Sequence, residues 1–311
     1  MSAGSGTRAI IAALLANAGI AVAKFVGFLF TGSSSMLAES VHSLADTSNQ
    51  GLLLLGKKRA QRAATPEHPF GYGRDRFFYS FVVALLLFTL GAVFSLYEGI
   101  HKVFEPEPIT TPLVAIVILL VAMALEGYSF RTAIGESREL KGELTWWQFI
   151  RRATEPELPV VLLEDFGALI GLVFAMFGVL LSLATGDGVW DGIGTLGIGA
   201  LLVTIAVILA IEIKSLLLGE GAKPEDVRRI RAALTDGESV VSVIHLRTMH
   251  LGPEELLVAA KIGVRHDDTA AAVAAAIDGA EARVRAAVPT ARVIYLEPDI
   301  ERPDVQTTPT G

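Results

Sequence analysis

The 311-residue chain is too apolar for an ordinary soluble protein, since 52% of its residues are hydrophobic and its mean hydropathy is +0.52. Its net charge is −7, and the residues after 219 contain more Asp and Glu than Lys and Arg, which argues against nucleic acid as a partner. The lack of cysteine excludes disulfides and thiolate metal ligands, so any metal site has to use nitrogen and oxygen atoms.

Six segments predict membrane-spanning helices, because each can supply the roughly 20 helical residues that a hydrocarbon core requires. In chain order they are residues 9–30, about 35–55, 77–100, 112–130, 158–184 and 192–219. The second is more polar than the others. The first lacks an obvious signal cleavage site and is expected to be retained. Glycines at 192, 194, 197 and 199 indicate close helix packing in the sixth span, since no strand precedes them as in a phosphate-binding loop.

Basic residues predict the orientation of the spans. Two loops are rich in Lys and Arg and are therefore expected to be cytoplasmic. The loop after the second span holds Lys57, Lys58, Arg59, Arg62, Arg74 and Arg76, and the loop after the fourth holds Arg138, Lys141, Arg151 and Arg152. An even number of spans then places both termini in the cytoplasm.

The composition changes near residue 222 to a mixed-charge pattern that predicts a soluble domain. A helix over 224–237 is followed by strands over 240–251 and 255–264, a helix over 267–288 and a strand over 291–299. The order αββαβ indicates a small open-faced α/β sandwich. We therefore expect a transmembrane domain over 1–221, a cytoplasmic domain over 222–302 and a disordered tail over 303–311.

Polar residues interrupt the second span in a regular pattern. Glu39, His42, Asp46 and Asn49 are separated by steps of three and four, so they lie along one stripe of a helix. An acid at the centre of a spanning helix costs about 2.5–3.5 kcal/mol, which makes such residues functional candidates. A packing network of interhelical hydrogen bonds is the structural alternative.

A second polar point occurs in the fifth span, where Glu164 and Asp165 lie among apolar residues. Convergence of this point with the stripe would form a site of imidazole and carboxylate ligands for Zn²⁺, or for Mn²⁺, Fe²⁺ or Co²⁺. Metal and protons compete for such ligands, so metal movement would be coupled to proton movement, with His42 best suited near neutral pH. Alternatively, either acid could pair with a basic residue such as Lys24.

The chain resembles the cation diffusion facilitators, which are divalent-metal/proton antiporters that include zinc transporters. The resemblance is carried by LLANAGIAVAKFVGFLFTGSSSMLAESVHSLADTSNQ, HPFGYGRDRFFYSFVVA, LYEGI and VWDGIGTLGIGALL. VLLEDFGALIGL and HLRTMHLGPEELLVAAKI are most similar to the branch of the mitochondrial zinc transporter. The resemblance implies a homodimer with six helices per protomer, a metal site between the second and fifth helices, and a metallochaperone-like cytoplasmic domain that helps dimerisation.

The resemblance also assigns metal ligands. The HxxxD pair of the family falls on His42 and Asp46, and the second helix-five acid falls on Asp165. The family usually has His or Asp four residues earlier, where this chain has Val161, so a fourth ligand has to come from Glu164, Glu39, Asn49 or water. Because Glu164 is about 100° around a helix from Asp165, both face one site only if the helix rotates or distorts.

Three further residues are weaker candidates for metal binding. His68 and Asp75 flank the loop HPFGYGR and could form an auxiliary cytoplasmic site, although the loop more simply orders the entry into the third span. His245 is the best candidate in the soluble domain, where a histidine is more often a strand or surface residue.

These features predict a secondary transporter that exports a divalent cation, Zn²⁺ first, from the cytoplasm in exchange for protons. No cofactor is expected beyond the transported ion, and the expected partners are metal, protons, membrane lipid and a second copy. The alternatives are a membrane metal sensor that binds without translocating and an intramembrane metalloenzyme, whose HExxH signature is absent. Ala- and Arg-rich composition favours a bacterial inner membrane.

Overall fold

The computed structural model describes residues 5–31, 34–106, 111–235 and 238–300. Within the first two helices, the side chains of residues 5–9, 13, 27, 28, 30, 31, 34–42 and 45 lie outside this description. The chain forms two compact units. A helical unit contains the residues up to Ala63 and Asp75–Lys214, and a second unit joins the segment Ala64–Arg74 to the residues from Ser215 onward.

Long helices make up the helical unit. They are α1 (Ser5–Thr31), α2 (Ser34–Ala60), α3 (Asp75–Leu86), a π-helical segment (Leu87–Val93), α4 (Phe94–Phe104), α5 (Pro112–Lys141), the short α6 (Trp146–Arg152), α7 (Glu157–Thr185) and α8 (Val189–Leu218). The segments from α3 to α4 run on as one helix of 30 residues, Asp75–Phe104. Helix α2 packs against α1 and α3, and α5 packs against α1 and α7.

Four helices in the described part of the chain are long and apolar enough to cross a membrane: Asp75–Phe104, α5, α7 and α8. Their outer surfaces expose large apolar side chains such as Leu85, Val117, Phe177 and Ile211, as lipid contact requires. Helices α1 and α2 cover the first two predicted spans, but they are not among these four, so the count of six spans stays a prediction.

Glycines bring α8 close to its neighbours. A Cβ atom added at Gly194 would lie 2.8 Å from the backbone oxygen of Phe174 in α7, and one added at Gly199 would lie 2.7 Å from Cγ of Leu96 in α4. These distances are shorter than van der Waals contact, so only glycine fits without a shift. The prediction that these glycines serve helix packing is confirmed.

The second unit contains a small sheet. Its elements are α9 (Pro224–Thr235), β1 (Ser242–Gly252), β2 (Glu255–Val264), α10 (Ala270–Ala287) and β3 (Val293–Ile300). The strands are ordered β1-β2-β3, with β1 and β2 antiparallel and β2 and β3 parallel. Alternate residues of the sheet and both helices enclose an apolar core that includes Ile230, Val258, Ile262 and Val284. The predicted small sheet domain is therefore present.

The segment Ala64–Arg74 packs against the end of β1. A Cβ atom added at Gly73 would lie 2.7 Å from the backbone oxygen of Leu251, and one added at Gly252 would lie 3.0 Å from Cα of Gly73. Nη2 of Arg74 lies 3.0 Å from Sδ of Met249. The loop that is predicted to order the entry into the third span, or to form an auxiliary metal site, is thus also part of the second unit.

Candidate metal-transport site

Glu164 joins α7 to α2 by two hydrogen bonds. Nδ2 of Asn49 donates to one carboxylate oxygen at 3.2 Å, and Nε2 of Gln50 donates to the other at 2.7 Å. All three side chains are buried. The side-chain amide oxygens, Oδ1 of Asn49 and Oε1 of Gln50, are also buried, and neither accepts a hydrogen bond in the described part of the chain. The second and fifth predicted spans, which are α2 and α7, therefore meet at Asn49 and Glu164.

Asp165 turns towards α5 instead. Its Oδ2 accepts a hydrogen bond of 2.6 Å from Oγ of Ser129, while its Oδ1 is buried and accepts none from any described residue. Only 1% of Asp165 is exposed. Helix α7 continues unbroken through both acids, so the expected angle of about 100° between them is preserved and they bond to different helices. A buried carboxylate oxygen without a donor is available to a cation or a proton.

Asp46 lies on α2 at the wall of a cavity of about 220 Å³ inside the helical unit. Lys24 and Ser43 line the same wall, and the ammonium group of Lys24 donates to Oγ of Ser43 at 3.2 Å. Glu164 also reaches this cavity. The cavity therefore gathers one acid from each of the two helices on which the sequence predicts ligands.

His42 and Glu39 are two of the predicted ligands on α2, and their side chains lie outside the described residues. His42 and Glu39 precede Asp46 by four and seven positions on the helix, so they belong to the same stripe. Val161, which occupies the position where the family usually has His or Asp, is fully buried, and its side chain has no atom that can bind a metal. Among the side chains that the structure describes, no three of the His, Asp and Glu type approach closely enough to hold one metal ion.

Glu126 on α5 is absent from the residues that the sequence analysis selected. It is buried, and it lines the cavity together with Asp46 and Glu164. The signal was present, because Glu126 is a lone acid inside an apolar span, which is the criterion that selected Glu164 and Asp165. Ser129, one helical turn away, was missed because a serine in a span is common.

Ion pairs hold both ends of the span Asp75–Phe104. At its start, the guanidinium of Arg76 binds the carboxylate of Glu157 in α7 through Nε and Nη2, and it also lies 3.3 Å from Glu155. At its other end, Lys102 lies 2.8 Å from Asp191 in α8, where both residues line the cavity. The cavity thus runs from the acids on α2, α5 and α7 to this second ion pair.

The weaker candidates belong to other elements than these acids. His68 is exposed in the segment Ala64–Arg74 and packs on the ring of Tyr72, with 4.6 Å between ring centroids, whereas Asp75 is the first residue of α3. His245 is exposed on β1 and pairs across the sheet with Lys261. The ammonium group of Lys261 binds the carboxylates of Glu297 and Asp299 on β3, so the metal site at His245 stays a prediction.

Comparison with known proteins identifies related chains. The cation efflux transmembrane domain matches residues 10–218. The human proton-coupled zinc antiporter SLC30A9, mitochondrial, is 34% identical over 232 residues, which cover 74% of this chain and 41% of the relative. Metal tolerance protein C4 of Arabidopsis thaliana is 29% identical over 248 residues, covering 79% of this chain and 54% of the relative. Zinc transporter ZitB of Pectobacterium atrosepticum is 33% identical over 118 residues, covering 38% of this chain and 35% of the relative.

The chain therefore spans about half or less of the length of these relatives. The match covers the helical unit from α1 to the end of α8, which contains the cavity and all the acids described above. The predicted resemblance, including the zinc-transporter branch, is confirmed. This chain is a membrane protein of the cation efflux family, the cation diffusion facilitators.

Proposed function

We propose that this chain is a secondary transporter that moves a divalent metal cation, Zn²⁺ first, out of the cytoplasm in exchange for protons. The observation that carries the proposal is the buried Oδ1 of Asp165, which accepts no hydrogen bond in the described part of the chain. Asp165 follows Glu164 on α7, and Glu164 lines the cavity together with Asp46. The family match and the names of its relatives favour a transporter over an enzyme.

The site chemistry suits a borderline divalent cation. Asp46 and Asp165 supply carboxylate oxygens, and His42 supplies an imidazole from the same stripe of α2. Each oxygen of Glu164 accepts one amide hydrogen bond and keeps a second lone pair, so Glu164 stays a candidate ligand that these amides would orient. Oδ1 of Asn49 is buried and accepts no hydrogen bond in the described part of the chain, so it is a second candidate. Glu39 and water complete the set of candidates for the fourth position.

Transport requires that the site open to each side of the membrane in turn. Protons and metal compete for the same ligand atoms, so protons that enter from outside would displace the metal, and metal from the cytoplasm would displace the protons. The proposed arrangement has six spans, both termini in the cytoplasm and a homodimer aided by a metallochaperone-like second unit. The composition favours a bacterial inner membrane, while some relatives are named as mitochondrial.

The test is flux in proteoliposomes that contain the purified full chain. An inward-directed or outward-directed proton gradient should drive Zn²⁺ in the opposite direction, and a panel of Zn²⁺, Mn²⁺, Fe²⁺ and Co²⁺ should rank the cargo. Replacing Asp165 with Asn should abolish flux, because it removes the unpartnered carboxylate oxygen's charge.

The same experiment separates the transporter from the alternative function, a membrane metal sensor. A membrane metal sensor would bind Zn²⁺ with the same ligands but show no flux under either gradient. Binding that depends on Asp165 without any transport would therefore replace the transporter by the sensor.

A further inference from the structure

Glu126 is a buried acid on α5. Only 6% of the residue is exposed, and no described residue donates a hydrogen bond to it. An acid in a spanning helix is costly to maintain, and natural chains keep such residues where an ion or a polar pathway meets them. The carboxylate of Glu126 lines the cavity that Asp46 and Glu164 also reach.

The position of Glu126 on α5 shows on which side of Ser129 and Asp165 it lies. Glu126 precedes Ser129 by three residues, so both lie on one face of α5, about 4.5 Å apart along the helix axis. Ser129 holds Oδ2 of Asp165. Helix α5 begins at Pro112, on the side of the bundle where α4 ends, so Glu126 lies on the Lys102 side of Ser129.

The cavity wall is largely apolar, but it carries polar residues on that side. The hydroxyl-bearing residues Ser95 and Thr195 line it between the acids and the Lys102–Asp191 ion pair. Hydroxyl and carboxylate oxygens together are ligands for a divalent cation that keeps part of its water. The charged groups that act on Glu126 are Asp165, Asp46 and Lys24.

We infer that Glu126 is a second binding position for the transported divalent cation, on the exit side of Asp165. The cation moves from the ligands on α2 and α7 to the carboxylate of Glu126 and then along the hydroxyl-lined part of the cavity towards Lys102 and Asp191. This inference rests on the proposed function. It gives the buried acid of α5 a role that neither the family match nor the names of the relatives assigns.

The experiment measures Zn²⁺ flux in proteoliposomes and Zn²⁺ binding to the purified full chain, for the parent, Glu126→Gln, Glu126→Asp and Asp165→Asn. Glu126→Gln keeps the side-chain shape and removes the charge, so flux should fall about tenfold while binding at the first position changes by less than about threefold. Glu126→Asp should retain an intermediate flux, since it keeps a carboxylate. Asp165→Asn should lose both flux and binding.

Glu139→Gln is the matched control. Glu139 is an exposed acid on the same helix, outside the cavity lining, and its substitution should leave flux unchanged.

Two outcomes would overturn the inference alone. In the first, Glu126→Gln transports like the parent while Asp165→Asn does not. In the second, adding Lys24→Gln to Glu126→Gln restores flux, which would make Glu126 a charge-balancing partner of Lys24. A parent protein that binds Zn²⁺ but transports none would instead refute the proposed function.

Discussion

Adjacent acids on one helix do different work in this protein because helix geometry separates them. Glu164 bonds to the amides of Asn49 and Gln50 on α2, and Asp165 bonds to Ser129 on α5. Both oxygens of Glu164 are engaged, whereas one oxygen of Asp165 is not. Glu164 therefore ties two helices together, and Asp165 retains the atom that a cation can use.

This difference gives a prediction for Glu164. Glu164→Ala should destabilise the protein by about 1–3 kcal/mol, because it leaves two buried amides without acceptors. Glu164→Gln should be much milder: one neighbouring amide can rotate by 180° and present its unpartnered carbonyl oxygen to the new NH₂ group. Thermal unfolding of the two variants in the same detergent checks this order.

Equal loss of stability in both variants would contradict the hydrogen-bonding role. Zn²⁺ titration of Glu164→Gln then separates the two functions: unchanged affinity in a stable variant would leave Asn49, Glu39 or water as the fourth ligand.

His250 provides a residue-scale prediction outside the membrane. Its ring is buried on β1, and Nδ1 accepts no hydrogen bond from a described residue. Burial lowers the pKa of His250 below 6.5, although the nearby carboxylate of Glu220 opposes this shift. The unfolded chain therefore binds a proton at a higher pH than the folded chain does. The contribution to stability is complete above pH 6.5 and is lost as the pH falls below that value.

We expect β1 to lose protection from hydrogen exchange as the pH is lowered from 7 to 5, after correction for the intrinsic exchange rate. His250→Gln should reduce this pH dependence, because the replacement does not titrate. His245→Gln is the control, since His245 is exposed on the same strand. The assignment to His250 would fail if both variants kept the parent's pH dependence.

Helix packing is the basis of a prediction at the scale of elements. Gly194→Ala should destabilise the helical unit, because the new methyl group would meet backbone rather than a movable side chain, at 2.8 Å from the oxygen of Phe174. Gly135→Ala on α5 is the control, since an added Cβ there has no neighbour within 4 Å and alanine favours a helix more than glycine does. Thermal unfolding should show a lower midpoint for Gly194→Ala and an equal or higher midpoint for Gly135→Ala.

A lower midpoint for both variants would mean that a change in lipid contact, rather than the α7–α8 approach, determines the effect.

The helices and the small sheet domain could be predicted because their signals are local. Apolar runs predicted the four long helices, and changes in hydrophobic periodicity predicted the strands of the second unit. The polar stripe on α2 correctly predicted that Asn49 faces the interior of the bundle. The partners of Glu164 were not predictable, because Asn49 and Gln50 lie 115 and 114 residues away and their choice depends on how α2 and α7 pack. Glu126 was locally visible but shared no motif with the other acids.

At the scale of the whole molecule, charge is arranged along the bundle rather than spread through it. Arg76 and Glu157 pair at one end of the span Asp75–Phe104, and Lys102 and Asp191 pair at the other. The acids without a basic hydrogen-bond partner in the described residues, Glu126, Glu164 and Asp165, lie between these pairs. Under the proposed function, a divalent cation entering this region would compensate negative charge that the two end pairs and Lys24 leave unbalanced.

The membership of Ala64–Arg74 in the second unit changes how the chain can be divided. The polypeptide passes between the two units three times, after Ala63, after Arg74 and after Lys214, so the second unit combines the segment between α2 and α3 with the residues from Ser215 onward. A stop codon after residue 221 would remove β1 and leave Gly73 and Arg74 without the surface on which they pack. Conversely, residues 222–302 expressed alone would lack one of their own loops. A single cut in the gene therefore cannot separate the two units cleanly, and a loss of activity after truncation would report damage to both.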